Sequence, residues 1–386
     1  MVQHSLGYLA VLVAKLGQEN IENWNELLAK CDTFISLCNP DQIRYDVNLF
    51  RQSSNPEFYR YSPNSLSDLC HILTNELVKR ECSIRGISII SRAIKKLQHT
   101  PTSLTPAHSD LAKLCLTSKC FSPALPFLDT DINLICKENG QFDAIYLLLF
   151  YYYGGCIYTA LKKFDRALYF FEVCVTCPTA AVSHVMLEAY KKYQLVGLLV
   201  HGDKPKAFKE NLALPKYTAP VVGKFLKPLC SAYNEIVTAY HSNNSAELRA
   251  VVAKHQDLLT TDANLGLVNQ VVASQTRTNI RRLTRTFITM SLSDLANRVG
   301  LATPGDVERE LVGMIEAGSI HATISQQDGM VRFDTNPESY SSPEMLRLLE
   351  EEVKAAMALD RQVCPYFKFI RRLSVAILRL PKWKKI

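Results

Sequence analysis

The run TFITMSLSDLANRVGLATPGDVERELVGMIEAGSIHATISQQDGMVRFD, residues 286–334, decides the fold. Thr286 to Met290 alternates apolar and hydroxyl side chains as a short strand does. Ser291 is placed to cap a helix carrying Leu292, Leu295, Ala296 and Val299 at three-to-four spacing, which Gly300 ends. Thr303-Pro304 caps and opens a second helix with Val307, Leu311, Met314 and Ile315 as its buried stripe and Gly318 as its stop. Ser319 to Ile324 and Met330 to Phe333 then read as two strands, joined through Gln326-Gln327-Asp328-Gly329, where Asp-Gly signals a tight turn. Strand, helix, helix, hairpin is the order of a winged helix.

A winged helix invites a nucleic-acid hypothesis, and the charges argue against it. Residues 286–334 carry three basic side chains (Arg298, Arg309, Arg332) against seven acidic ones (Asp294, Asp306, Glu308, Glu310, Glu316, Asp328, Asp334). Four of the acids lie on the helix that would have to enter a groove, where they oppose the phosphate term that dominates such affinity. Just upstream, Arg277, Arg281 and Arg285 fall at steps of four on one helical face. This is either a solvated face or a docking stripe for an acidic partner, to which Arg is suited.

The rest of the chain reads as helical repeats. Tyr151, Gly155, Tyr158, Ala167 and Phe171 sit at the large, small, aromatic, small and aromatic positions of a tetratricopeptide-like hairpin ending at Pro178. Ala112, Cys115, Ala124 and Leu128 repeat that spacing. Gly86, Ile90 and Ala93 preserve the second half of an earlier unit. The expected fold class is mainly α: TPR-like repeats over residues 1–177, a segment 178–342 ending in the winged helix, a helix over 343–361, and a divergent basic tail from 362 to 386. The Ser, Asn, Pro and Tyr-rich stretch 51–66 reads as an exposed loop inserted among the repeats.

Composition bounds the function. The chain has 386 residues, 47% hydrophobic and 21% charged, which describes a folded helical protein and excludes a disordered one. The formal charge is +7, yet residues 364–386 hold seven basic side chains and no acid, leaving 37 basic against 37 acidic elsewhere. Ala144 to Leu161 lacks charge, but its tyrosines stand mid-span, where no membrane interface would place them, so a buried repeat is the better reading. The twelve cysteines lack disulfide-scaffold spacing and read as reduced core thiols, Cys174 and Cys177 included. No phosphate loop, nucleophile elbow or metal-ligand cluster is present, so neither a catalytic residue nor a metal or other cofactor is expected. The scattered histidines include His184, read as a hydrogen-bonded core residue.

Six runs carry a resemblance: His4-Ser5-Leu6-Gly7, Cys136-Lys137-Glu138-Asn139-Gly140, Tyr151-Tyr152-Tyr153-Gly154-Gly155, Arg166-Ala167-Leu168-Tyr169-Phe170, Leu214-Pro215-Lys216-Tyr217-Thr218 and Gln327-Asp328-Gly329-Met330-Val331. With helical repeats leading into a winged helix, the chain resembles PCI-domain proteins, and among them the subunit 3 family of the COP9 signalosome. The resemblance spans roughly residues 4 to 360. It implies a non-catalytic scaffold in cytoplasm and nucleus, within an isopeptidase complex that strips a ubiquitin-like modifier from cullins and so regulates cullin-RING ubiquitin ligases. The metal and the catalysis would belong to another subunit. PCI scaffolds of the proteasome lid or of translation initiation, and a winged-helix nucleic-acid adaptor, are the alternatives.

In this family the winged helices join through their strands and the terminal helices gather in a bundle. Carried onto this chain, the first contact falls on Phe287, Ile288, Met290, Ile320, Ala322, Ile324, Val331 and Phe333, half of which must face the domain's own core. The second falls on Leu346, Leu349, Val353, Ala356 and Met357, a stripe on a helix beyond a complete domain. Three departures stand out: the start at His4 without the upstream repeats, the stretch 51–66, and the basic aromatic tail after Asp360. The tail reads as a membrane or import patch, or as a spliced-in divergent end that shortens the bundle helix.

Overall fold

The computed structural model describes residues 5–17, 23–38, 64–98, 100–132, 134–135, 144–178, 181–202, 218–301, 303–334, 342–343 and 345–361. Two compact units result: residues 1–283 with 297–302, and residues 284–296 with 303–386.

The first unit is built from helices α1 (Ser5–Leu16), α2 (Trp24–Leu37), α3 (Asn64–Lys79), α4 (Ser83–Leu97), α5 (Ala107–Thr117), the single turn α6 (Leu125–Leu128), α7 (Ala144–Ala160), α8 (Phe164–Thr176) and α9 (His184–His201). It continues through α10 (Pro220–Leu229), α11 (Ser231–His241), α12 (Ser245–Lys254), α13 (Gln256–Thr261) and most of α14 (Leu265–Thr284). Most helices pack on near neighbours in sequence: α4 on α3 and α5, α5 on α7, α7 on α8, and α8 on α9, while α1 packs on α3 and α2 on α4. Such pairs bury their apolar faces only against one another, as stacked repeats do. A two-residue parallel bridge, β1 (Ser103–Leu104) with β2 (Leu134–Ile135), is an addition that periodicity does not announce.

The residues assigned to repeat positions are core, except Tyr151, which is half-buried against it. Tyr158, Ala167 and Phe171 are fully buried, as are Cys115, Ile90 and Ala93, with Ala112, Ala124 and Leu128 nearly so. Small residues are required where α7 crosses α8: a Cβ on Gly155 would sit 2.6 Å from Phe171 Cε1, and one on Gly154 2.6 Å from Phe170 Cε1. The uncharged helix α7 is thus a repeat helix, and no described helix is long and apolar enough to cross a membrane.

A shared turn follows the first helix of successive pairs. Glu81, Lys119 and Lys162 all take left-handed φ values, at 56°, 57° and 59°. In each case the next amide reaches back over the helix end, Cys82 N–H to Leu77 O, Cys120 N–H to Cys115 O and Lys163 N–H to Tyr158 O at 2.9–3.1 Å, closing a Schellman-type cap. Asn243 and Ala263 repeat the conformation after α11 and α13.

The second unit contains β3 (Thr289–Ser291), the start of α15 (Leu292–Val299), α16 (Pro304–Glu316), β4 (Ala322–Ser325) and β5 (Met330–Phe333), with a further helix, α17, over 345–361. The strands form an antiparallel sheet in the order β3-β5-β4, pairing Met290 with Val331 and Ile324 with Val331. Ser291 Oγ accepts from Asp294 N–H at 3.1 Å, and Thr303 Oγ1 accepts from Asp306 N–H at 3.2 Å, so both expected caps form. The second strand starts three residues later than expected. Gly318 at φ +65° and the Ser319 N–H to Met314 O bond of 2.9 Å make 317–319 the terminating turn of α16 instead of strand. The first strand likewise begins at Thr289, though the Phe333 N–H to Ile288 O bond carries the ladder one residue upstream.

Most of the stretch 51–66 lies outside the described residues; its last three positions, from Asn64, open α3. The tail 362–386 lies outside them entirely.

Candidate partner-binding surfaces

The winged-helix sheet has one central strand and two edges, β3 and β4, whose outer sides meet no described strand. The eight side chains assigned to this sheet divide. Met290, Ile320, Val331 and Phe333 are 7%, 5%, 1% and 7% exposed and form the domain's own core with Leu295, Val307, Leu311 and Met314. Ala322, Ile324 and Phe287 are half-buried, and Ile288, at the head of edge strand β3, is 74% exposed. By the register, Ala322 and Ile324 stand opposite Phe333 and Val331 on the inner face and are only partly covered at the edge strand β4, while the outer face presents the exposed Thr289, Thr323 and Arg332. Ile288, just ahead of β3, is exposed although the period of two places it on the side of Met290.

Helix α17 shows the opposite pattern. Leu346, Leu349, Val353 and Met357 are 53–61% exposed and Ala356 is exposed; Leu348 and Leu359, off that row, are also exposed. Ser342 starts the helix by accepting from Met345 N–H at 3.2 Å, and a Lys354–Glu350 pair at 3.6 Å braces one flank. Seventeen residues of amphipathic helix with every side chain outside the core form an unpartnered apolar face among the described residues.

Arg277 and Arg281 lie on α14, exposed and half-buried respectively, and each already interacts within the chain. Arg285 follows the last residue of that helix and is exposed.

Among the described residues no three His, Cys, Asp or Glu side chains converge as a metal site. Cys174 is buried in α8, its thiol 3.6 Å from Leu148 O, and Cys177 sits one residue past the helix as its C-cap. Burial pushes the Cys174 thiol well up, and that of Cys115 up to about 12, which leaves both protonated and unreactive. The ten described cysteines are free.

His184 departs from expectation: it is exposed at the first position of α9, because the buried stripe of that helix begins at Met186. The buried histidine is His108, 3% exposed, whose Nδ1 accepts from Thr105 N–H at 3.1 Å while its ring meets Phe127 and Phe150 edge-on. Burial depresses its pKa to about 4. A second polar cluster also escaped sequence reading. Lys191 Nζ lies 2.7 Å from Glu188 Oε1 and 2.9 Å from Asp262 Oδ2, with Tyr233 donating to Asp262 at 2.7 Å and Asn264 donating to Tyr233 at 2.9 Å. This network ties α9 to α11 and to the turn before α14. No acid stands near Lys191 in sequence except Glu188, so only the tertiary fold reveals Asp262.

These surfaces offer binding geometry: paired helices, a small winged domain with two open sheet edges, and an apolar helix. That set defines a helical-repeat protein with a PCI domain. A family model described as "COP9 signalosome complex subunit 3, N-terminal helical repeats" matches residues 1–222, and the PCI domain model matches residues 252–335. The COP9 signalosome complex subunit 3 of Drosophila melanogaster is 42% identical over 378 residues, spanning 94% of this chain and 80% of the relative. That of Dictyostelium discoideum is 33% identical over 362 residues, spanning 93% and 81%. The chain belongs to the COP9 signalosome complex subunit 3 family.

Proposed function

We propose that this chain is a non-catalytic scaffold subunit of a COP9 signalosome, the assembly that removes a ubiquitin-like modifier from cullins and thereby regulates cullin-RING ubiquitin ligases in cytoplasm and nucleus. The metal-dependent isopeptidase belongs to another subunit of that assembly. Family membership supports the complex. The observation that supports the scaffold role is the apolar row Leu346, Leu349, Val353 and Met357, more than half exposed on a helix that covers nothing else among the described residues.

In this reading α17 enters a bundle with the terminal helices of sister PCI subunits, and Ile288 with the edges β3 and β4 meets a neighbouring winged helix. Main-chain hydrogen bonds at a sheet edge supply affinity, and alternate side chains supply register. The acids on α16 keep nucleic acid away from the surface that a DNA-binding winged helix would use.

The test is affinity purification of the tagged full-length chain from its own cells, with mass spectrometry of what elutes at near-equal abundance. A set of PCI proteins with one metal-dependent isopeptidase is expected, lost when Leu349→Asp and Val353→Asp are combined. Recovery of the chain alone, or of a different PCI assembly, overturns the reading.

A further inference from the structure

Helix α17 sets out its apolar row at spacings of three, four and three: Leu346, Leu349, Val353 and Ala356, with Met357 beside the last and all five exposed. Two carboxylates border the row, Glu350 on one side and Glu352 on the other, whereas Glu351 falls on the opposite face. The basic side chains Arg347, Lys354 and Arg361 all lie on the side of Glu350, where Lys354 stands 3.6 Å from it. The flank that carries Glu352 holds no base.

The residues that follow in sequence have the matching pattern. Tyr366, Phe369, Leu373, Ala376 and Leu380 alternate spacings of three and four, so a helix over 366–380 carries them as one row. Arg372 and Arg379 border that row on one side, and Ile370 and Ile377 on the other. Pro365 suits the first position of such a helix and Pro381 its stop. With seven basic side chains and no acid, residues 364–386 are drawn to carboxylates and repel a second copy of themselves. Length fits as well. Residues 362–365 separate the two segments, within the roughly two to five residues that join antiparallel helices. Helix α17 spans about 25 Å, and residues 366–380 as a helix span about 22 Å. Folded back antiparallel, Ala356 meets Leu373, Val353 meets Ala376 and Leu349 meets Leu380. The same register sets Arg379 beside Glu352 and Ile370 beside Met357.

We propose that residues 366–380 form a helix that folds back on α17 and covers its apolar row, an intramolecular cover on the surface through which the chain joins its partners. Only the last clause rests on the assembly role proposed above; the docking is a property of the isolated chain. A partner helix must displace the tail before it can reach Leu349 and Val353, which sets a threshold for assembly.

The experiment is hydrogen exchange of the full-length chain, read by mass spectrometry over residues 345–361 and compared with a chain lacking 364–386. The amides of α17 are expected to exchange at least about tenfold slower with the tail present, equally at low and high protein concentration. Leu373→Asp should abolish that protection. Glu352→Arg should weaken it, and adding Arg379→Glu should restore it, a recovery that a mere change of helix propensity does not produce. Equal exchange with and without the tail overturns the proposal. So does protection that grows with protein concentration, which assigns the row to a second copy. Binding to phosphatidylserine vesicles with no protection of α17 in their absence also overturns it and assigns the tail to a membrane. Affinity purification of both chains then separates the two readings. Deletion of 364–386 should raise the yield of sister subunits, and an unchanged yield overturns the covering role. Absence of sister subunits from both chains overturns the scaffold reading and leaves the fold-back to the exchange result.

Discussion

Replacing Lys191 by Met isolates the contribution of the polar network in the first unit. The Lys191 side chain is 11% exposed, and its two carboxylate partners, Glu188 and Asp262, are 16% and 15% exposed. Removing one member of a buried ion pair costs about 3–5 kcal/mol, because the remaining charge is left in a poorly solvated site. Here Glu188 keeps Lys192 at 3.9 Å, and Asp262 keeps the Tyr233 hydroxyl at 2.7 Å. The loss should therefore fall at the lower end, about 3 kcal/mol, or roughly a hundredfold in the folding equilibrium. Urea unfolding followed by far-UV circular dichroism measures it, with hydrogen exchange of α9 and α11 reporting the site itself. Combining Lys191→Met with Asp262→Leu removes both charges and should recover much of the loss. The sign of the pH dependence is also fixed. Burial acts to lower the Lys191 pKa, but Glu188 and Asp262 outweigh it and the net shift is upward. The stability that the pair contributes is thus complete below about pH 10.4 and is lost as pH rises through the higher folded-state value. A Lys191→Met variant as stable as the parent, or a double variant worse than the single ones added together, refutes this account.

Other outcomes are open to the same measurements. Gly155→Ala should cost about 1–3 kcal/mol, because the new Cβ meets the fully buried Phe171 ring at 2.6 Å. Ala263→Gly should stabilise by about 0.5–1 kcal/mol, since the residue holds φ +54° without side-chain compensation; a lower melting temperature would show that the turn is not strained. His108, with its pKa depressed to about 4 by burial, should make the protein lose stability as pH falls from about 6.5 toward 4. A His108→Gln variant should show a flatter acid limb between those values. Thr303→Ala should remove the cap of α16 at a cost of about 1 kcal/mol, read as a lower melting temperature of the second unit.

The elements most legible in the sequence are those fixed by local chemistry. Ser291, Thr303-Pro304, Gly318 and Asp328-Gly329 each dictate a cap, a stop or a turn within a few residues, and the winged helix follows from them in order. Strand limits were less legible, because Ser319 and Ile320 have strand-like composition but are consumed by the turn that closes α16. The repeats could be read from Gly155, Ala167 and Phe171, since helix crossings admit only small residues opposite aromatics. His184 misled because apolar neighbours in sequence do not decide which face of α9 it occupies. Half of the sheet residues assigned to partner contact, including Val331 and Phe333, are buried, and Ala322 and Ile324 share their face, which becomes readable only once the register is fixed. The Lys191 network was illegible, because it depends on helices brought together from separate parts of the chain.

The neighbour-to-neighbour packing of the first unit also governs how it comes apart. A helix such as α4 touches little beyond α2, α3 and α5, so unfolding of α1 and α2 exposes only their contacts with α3 and α4 and leaves α7 to α9 intact. Stability of this kind is a sum of local interfaces, and partial opening can start at an end without spreading. The unit should therefore exchange its amides as a gradient, fastest toward the N-terminal helices and slowest around the aromatic crossing of α7 and α8. A partner that grips only the far end would steady that end and leave the gradient elsewhere unchanged.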